Sequence, residues 1–375
     1  MRILHTSDLH LGRVLLEESL IDDQEQMLTD LTSLIKDQKV AAVAISGDIY
    51  DKSIPSEEAM ALWDSFLHGL SQLPVEVLVV SGNHDSNGRL GYGNWLFAQK
   101  QIHIVTHYGG QISKVLLDGV TFYLLPFVKP FHLKPFMSEA EYAHHHTSEA
   151  MMRWLIERET LDRRRHNILL AHQFVVATGQ ETLTGESERA TNLGTLDAID
   201  ASIFADFDYV ALGHVHRPQK IGRQTVRYSG TPLAYAFSEA SDRKSVVIYD
   251  TQTRKVELLP IVPKRRLQVW RGSFVQLMAR PVTKDLLRFE LTDGEQLLSP
   301  MQQLKKRFPG ALSLSFVGQV APQATAEQLT LTKGQTPTAL FAQFFQKINQ
   351  RPLTLAETQY LQTVIAELEG SEHAT

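Results

Sequence analysis

The sequence predicts a layered α/β protein, and two observations carry that reading. Short apolar runs rich in Val, Ile and Leu alternate with segments of helical periodicity. Five of these runs end in compact polar blocks: Asp8-x-His10, Gly47-Asp48, Gly82-Asn83-His84-Asp85, His172 and Gly213-His214-x-His216. In α/β sheets, ligands gather in the loops at the carboxyl ends of strands. One placement therefore serves all of the blocks.

Taken in order, Ile3-Leu4 leads to Asp8, Val43-Ala44-Ile45 to Gly47, and Val77-Leu78-Val79-Val80 to Gly82. Ile168-Leu169-Leu170 leads to His172, and Tyr209-Val210-Ala211-Leu212 to His214. Runs of this kind suit buried strands. Between them, Met27, Leu28, Leu31, Leu34 and Ile35 follow helical spacing, as do Ala59, Trp63, Phe66, Leu67 and Leu70. Val226–Tyr228, Ser245–Tyr249 and Val256–Leu258 read as strands completing the core. Pro260, Pro263 and the triplet Lys264-Arg265-Arg266 mark a boundary.

A small α/β module is expected over 264–320, with strands at Leu267–Trp270, Leu286–Leu291 and Leu312–Val317. Ser299-Pro300 opens its helix as N-cap and N1 residue. The polar stretch Ala321–Gln335 reads as a linker. Over 336–375, Thr336-Pro337 and the capping box Thr354-x-x-Glu357 start two helices. Their apolar faces, Leu340 to Ile348 and Leu361 to Leu368, need a surface to dock on, either a partner or their own domain.

The chain has 375 residues, 43% of them hydrophobic, which allows two domains or one with appendages. Its start lacks the pattern of a signal peptide, and no apolar stretch is long enough to span a bilayer. Cysteine is absent, which excludes disulfides and thiolate metal sites. A soluble, cytoplasmic protein is expected. The net charge of −5 does not mark a basic nucleic-acid binder, but local fields and bound cations set the potential where a phosphate sits. Arg163-Arg164-Arg165, Lys264-Arg265-Arg266 and Lys305-Lys306-Arg307 read first as solvated faces and linkers.

The blocks supply carboxylates, imidazoles and one carboxamide, a donor set suited to two divalent cations of the kind that activate water and neutralise phosphate. Asp8 and His10 project to one side of an extended loop. Asp48 follows a glycine and has two oxygens with which to bridge ions ~3.5–4 Å apart. Asn83 offers an amide oxygen. His84 faces the phosphate, where it can polarise a nonbridging oxygen or protonate the leaving one. Asp85 is expected to orient that imidazole. His214 and His216 provide one imidazole per ion, and His172 completes the second site. Taken singly, each block is more often a turn or a packed histidine; together they form a constellation. His144-His145-His146 is read as an exposed run on a helix, because neighbouring helical residues diverge by about 100°. His5, inside the first strand, is read as packed or hydrogen-bonded.

These blocks and their surroundings resemble the calcineurin-like metallophosphoesterase superfamily, in particular its bacterial DNA nuclease subunits. The likeness rests on Ile3–Gly12, Ser46–Asp51, Ser81–Ser86, Phe207–Pro218 and Tyr228–Leu233. It implies a β-sandwich flanked by helices over 1–263, a capping module and a partner-binding tail. It also implies a first ion on Asp8, His10, Asp48 and His216, and a second on Asp48, Asn83, His172 and His214. His84 would be the catalytic histidine. The ions would be manganese, with magnesium or another divalent cation possible. The implied activities are 3′→5′ double-strand exonuclease and single-strand endonuclease, on DNA ends and hairpins. The implied partners are a coiled-coil ATPase and a second copy, forming a heterotetramer associated with the nucleoid and with no membrane. Trp63 and Phe66 are candidates for the dimer contact or, more simply, for core packing. Asp51 is expected behind the site or facing DNA; Asp51-Lys52-Ser53 and Asp85 depart from the protein-phosphatase branch. Two other classes remain open, a phosphoesterase for small molecules or phosphoproteins and a noncatalytic metal-stabilised binder.

Overall fold

The computed structural model describes residues 1–179, 182–184, 198–293 and 297–317, together with 345–346, 351–354, 357, 358 and 361. The chain divides into two compact units, Met1–Ser315 and Phe316–Thr375. The first is built on two six-stranded sheets. One runs Val256–Pro260, Ser245–Asp250, Arg2–Thr6, Ala42–Ser46, Glu76–Val80, Ile102–Val105. The last four of these strands are mutually parallel. The other runs Gln219–Ile221, Arg223–Tyr228, Tyr209–Gly213, His166–His172, Val120–Leu125, Ser113–Leu117, with four parallel strands at its centre.

Alternate residues of both sheets close a largely apolar interior. Ile3, Ala44, Leu78 and Val247 of the first sheet meet Phe122, Ile168, Leu170 and Ala211 of the second. The other face of the first sheet takes helices Ile21–Asp37 and Glu57–Ser71 through Met27, Leu31, Trp63 and Phe66. The opposite face of the second sheet takes helix Ser148–Glu157 through Met151, Met152 and Leu155. Central strands covered on both sides explain why their sequence runs are continuously apolar. Trp63 and Phe66 are each only 5% exposed. They are core residues, and the dimer role considered for them does not hold.

The sheets are also joined by polar groups. His5 donates from Nε2 to the Leu212 carbonyl (3.2 Å) and accepts at Nδ1 from the Tyr209 hydroxyl (2.9 Å). Tyr209 stacks on Tyr249 across the same gap, with ring centroids 4.3 Å apart. Burial, and then the Arg227 charge, lower the His5 pKa to about 3.

Leu267–Gly272, Leu286–Leu291 and Ala311–Phe316 form the three-stranded sheet of the smaller module. Leu267 and Leu286 join the core outside the first sheet. Arg265 is not merely solvated: its Nη2 sits 2.6 Å from Asp23, and it also pairs with Glu18. The helix at Pro300–Arg307 starts on its proline, but Ser299 takes a left-handed φ of +46° and makes no side-chain cap. The histidine run is not one helical face. The helix Glu139–His144 ends within it, and His145 and His146 donate from Nδ1 to the carbonyls of Glu141 and Ala143.

In the second unit the capping box is present, with Thr354 N and Oγ1 donating to Glu357 (2.8 and 2.9 Å). The linker 321–335 and most of the two expected tail helices lie outside the described residues. No described helix is long and apolar enough to cross a membrane.

His5→Leu strands two buried partners, so a loss of about 2–4 kcal/mol in urea unfolding near neutral pH is expected. Because the folded pKa of His5 lies below its unfolded value, its contribution is complete above pH 6.5 and fades as the pH falls toward 3. The gap between variant and wild type should therefore narrow over that range; a constant gap would contradict this account.

Candidate metal centre

The parallel pairing of Arg2–Thr6 with Ala42–Ser46 continues past both strands. Asp8 N donates to Gly47 O (2.9 Å), His10 N to Asp48 O (3.0 Å) and Leu11 N to Ile49 O (2.8 Å). The two loops are thus zipped together, and Asp8, His10 and Asp48 take φ values of +54°, +43° and +49°. His214, after the central strand of the other sheet, has φ +104°. Non-glycine residues in such regions cost about 1–3 kcal/mol each and cluster at functional sites. Here they turn carboxylates and imidazoles into one crevice.

Glycines make that crevice possible. A Cβ on Gly82 would lie 2.1 Å from Asp48 Oδ1, and one on Gly213 would lie 1.8 Å from the Ser46 carbonyl oxygen. Gly47 has φ +88°, and a Cβ there would strike His172 Nδ1 at 2.3 Å.

All the ligand candidates meet in this space. His10 Nε2 lies 3.2 Å from His216 Nε2 and 3.7 Å from Asp48 Oδ2. On the other side, His172 Nε2 is 3.4 Å from Asp48 Oδ2 and 3.0 Å from Asn83 Oδ1, which also lies 3.0 Å from His214 Nδ1. Asp8 accepts from His214 N (3.1 Å) and from the Ser7 hydroxyl. Three donor groups satisfy the spacing needed to hold a cation: Asp8, His10 and His216; His10, Asp48 and His84; Asp8, Asp48 and His172. Asp8, His10 and Asp48 each belong to two of them.

The electrostatics suit a cation. Asp8 and Asp48 are both buried. Burial raises the Asp8 pKa; for Asp48 the same effect is outweighed by His172, His10 and His84, and the net shift is downward. Burial holds His10 well below the usual imidazole range and lowers His214 to about 3. His172 is also penalised by burial, but the Asp48 and Asp8 carboxylates outweigh this and raise it to about 9. Its Nδ1–H is committed to the Ser46 carbonyl at 2.8 Å, so the extra proton falls on Nε2 between Asp48 and Asn83. A site that draws a proton to that position fits a divalent ion there. The buried Nε2 atoms of His10 and His216, facing each other at 3.2 Å, fit another.

His84 lies at the half-buried rim of this cluster, within ligand spacing of His10 and Asp48. Its backbone N donates to Asp48 Oδ1 (2.9 Å) and its Nδ1–H to the Asp51 carbonyl (2.8 Å), which leaves Nε2 for a substrate. The expectation that Asp85 orients this ring is corrected. The Asp85 carboxylate accepts N–H bonds from Gly82 (2.8 Å), Tyr50 (3.0 Å) and Ile49 (3.2 Å), so it braces the backbone around Asp48. Burial and the Asp48 charge raise it to about 6. Asp51 faces inward, with its carboxylate on Arg13 (2.9 Å) and 3.6 Å from His10 Nδ1.

The sequence reading missed Glu239 and Lys244. Glu239 Oε1 accepts from His216 Nδ1 at 3.2 Å, and Lys244 Nζ lies 2.6 Å from Glu239 Oε2. Burial works against the charge on Glu239, but His216 and Lys244 lower its pKa to about 2. Both residues follow the last polar block in a segment with no strand-end signature.

Gly82→Ala would push Asp48 from its seat while leaving the sandwich interior untouched. The Cβ would also meet the Asp48 backbone N at 2.4 Å, so the loop must give way, and divalent-ion affinity should fall on the order of 100-fold together with the thermal stability of the metal-free protein. Wild-type affinity in calorimetric titration would contradict the cradle.

A family model described as calcineurin-like phosphoesterase matches residues 1–218. A second, described as type 5 capsule protein repressor C-terminal domain, matches residues 263–349. The chain is 31% identical to the D subunit of the SbcCD nuclease of Staphylococcus epidermidis over 327 residues, covering 84% of this chain and 86% of the relative. The Staphylococcus saprophyticus counterpart is 31% identical over 323 residues, with 84% of each chain covered. A solved structure, TT1561 of Thermus thermophilus, covers 70% of this chain and 99% of its own at a TM-score of 0.38 and 14% identity. The chain, a metal-dependent phosphoesterase by its first domain, thus belongs to the calcineurin-like phosphoesterases and, within them, to the SbcD family of nuclease subunits.

Proposed function

We propose that this protein is the DNA-cutting subunit of an SbcCD-type complex, hydrolysing phosphodiesters with two divalent ions, manganese first among them. The convergence of eight side chains from five strand ends around Asp48 carries the reading. Asp8, His10, Asp48 and His216 would hold the first ion, and Asp48, Asn83, His172 and His214 the second. When bound, the pair supplies activated water and neutralises the phosphate. His84 would meet the substrate from the half-buried rim of the cluster. Because its Nδ1–H is anchored on a carbonyl, neutral Nε2 can only accept; the ring protonates a leaving oxygen or polarises a nonbridging one as imidazolium.

The proposed activities are 3′→5′ double-strand exonuclease and single-strand endonuclease, on ends and hairpins. A cleft of about 710 Å³ opens beside Asn83 and His214, walled by Phe127, Phe131, Phe174 and Lys129. Phe131 is 59% exposed. Aromatic faces with a cation beside them suit unpaired bases and their phosphates.

The domain division of this reading is 1–263 for the nuclease, 264–320 for the cap, 321–335 for a linker and 336–375 for a tail that grips the coiled coil of an SbcC-type ATPase. A second copy would pair through the exposed Met60, Tyr92 (84% exposed) and Trp95 (67% exposed), giving a heterotetramer with the ATPase. The cytoplasm, at the nucleoid, is the compartment this substrate implies.

His84→Gln should reduce plasmid and hairpin cleavage in manganese about 10²–10⁴-fold, with metal content by mass spectrometry unchanged. Cleavage at full rate would remove the assigned role. Phe131→Ala should lower kcat/KM on unpaired ends roughly tenfold yet spare bis-p-nitrophenyl phosphate; an equal effect on both substrates would count against base stacking.

A further inference from the structure

We infer that Glu239, braced by Lys244, is a positioning residue that fixes the tautomer and aim of His216 and thereby sets the affinity of the first ion separately from the second. The inference rests on the two-ion reading above and adds to it an asymmetry between the sites.

Glu239 is 2% exposed and Lys244 7%. Burying such a pair is weak evidence for stability, since desolvation can exceed the Coulombic gain. Its connections point elsewhere. Lys244 Nζ donates to Glu239 Oε2 (2.6 Å), Thr231 Oγ1 (2.7 Å) and the His216 carbonyl (3.0 Å), which accounts for all three ammonium protons. The two residues thus hold His216 at both ends, Glu239 at the ring Nδ1 and Lys244 at the main chain. Paired with the Lys244 ammonium at 2.6 Å, the Glu239 carboxylate only accepts, so Nδ1 carries the proton and Nε2 presents its lone pair toward His10 Nε2, 3.2 Å away.

The second site is supported differently. His172 Nδ1 donates to a neutral acceptor, the Ser46 carbonyl (2.8 Å). An imidazole backed by a carboxylate is the more basic ligand. The first ion is therefore held by a histidine hydrogen-bonded to a carboxylate, and the second by His172, whose Nδ1 is hydrogen-bonded to a main-chain carbonyl with the Asp8 carboxylate farther off at 4.0 Å.

Two-site manganese titration of the full chain by calorimetry tests this. In Glu239→Gln one of the two affinities should fall about 10–100-fold while the other stays within about threefold. The paired variant Glu239→Leu/Lys244→Met removes the buried charges together and so keeps the fold; the selective loss should persist in it. ¹⁵N spectra of metal-free wild type should show His216 protonated at Nδ1, and the paired variant should lose that single tautomer. Wild-type affinities in the paired variant, equal loss at both sites, or His216 protonated at Nε2 in wild type would overturn the inference. If wild type binds two ions and the variants match it, only this inference fails; if wild type binds fewer than two, the two-ion reading fails with it.

Discussion

Two carboxylates buried side by side are the constraint to which the rest of this molecule answers. Asp8 and Asp48 sit inside the crevice beside His10 and His214, which burial disfavours from charging, and such a place calls for positive charge. The pull on His172 shows the demand directly, since a fully buried ring is driven to take a proton against its own desolvation. The backbone carries a matching strain, with left-handed φ at Asp8, His10 and Asp48. A region that concentrates like charge and strain in this way is tuned for ligation rather than stability.

The scaffold makes that concentration tolerable. Parallel strands from two sheets deliver their carboxyl ends to one edge, so five loops arrive already close. The apolar interior between the sheets, tied by His5 and by the Tyr209–Tyr249 stack, fixes the spacing of the loops. Glycines at 47, 82 and 213 remove the Cβ atoms that would otherwise fill the crevice. Asp85 then locks the Asp48 loop to the Gly82 loop through three backbone donors.

The strands and the ligand candidates were legible for one physical reason: a buried parallel strand is a continuous apolar run, and its functional loop begins where the run stops. Asp8, Asp48, Asn83, His172 and His214 all obey that rule. Asp85 does not, because the partner of a carboxylate at a turn depends on which loop packs against it. Neighbouring sequence suggested His84; the fold supplied Tyr50 and Ile49. Arg265 looked like one member of a basic triplet, and its ion pairs with Asp23 and Glu18 come from residues more than two hundred positions away. The histidine run at 144–146 is largely exposed as expected, but only its first member is helical, since the second and third cap the helix end.

Glu239 belongs to the same class of residues visible only in three dimensions, and its place has a mechanical consequence. It ends the short helical turn Phe237–Glu239, and strand Leu267–Gly272 of the smaller module packs on that turn. Arg265, at the root of the strand, is held by the helix that follows the Asp8 loop. Leu267 and Phe237 share one apolar cluster. A shift of the smaller module against the sandwich would therefore press on the turn that supports His216. Buried, close-packed contacts transmit such a displacement rather than absorb it. The smaller module and the metal centre thus share the Phe237–Glu239 turn as a common packing contact.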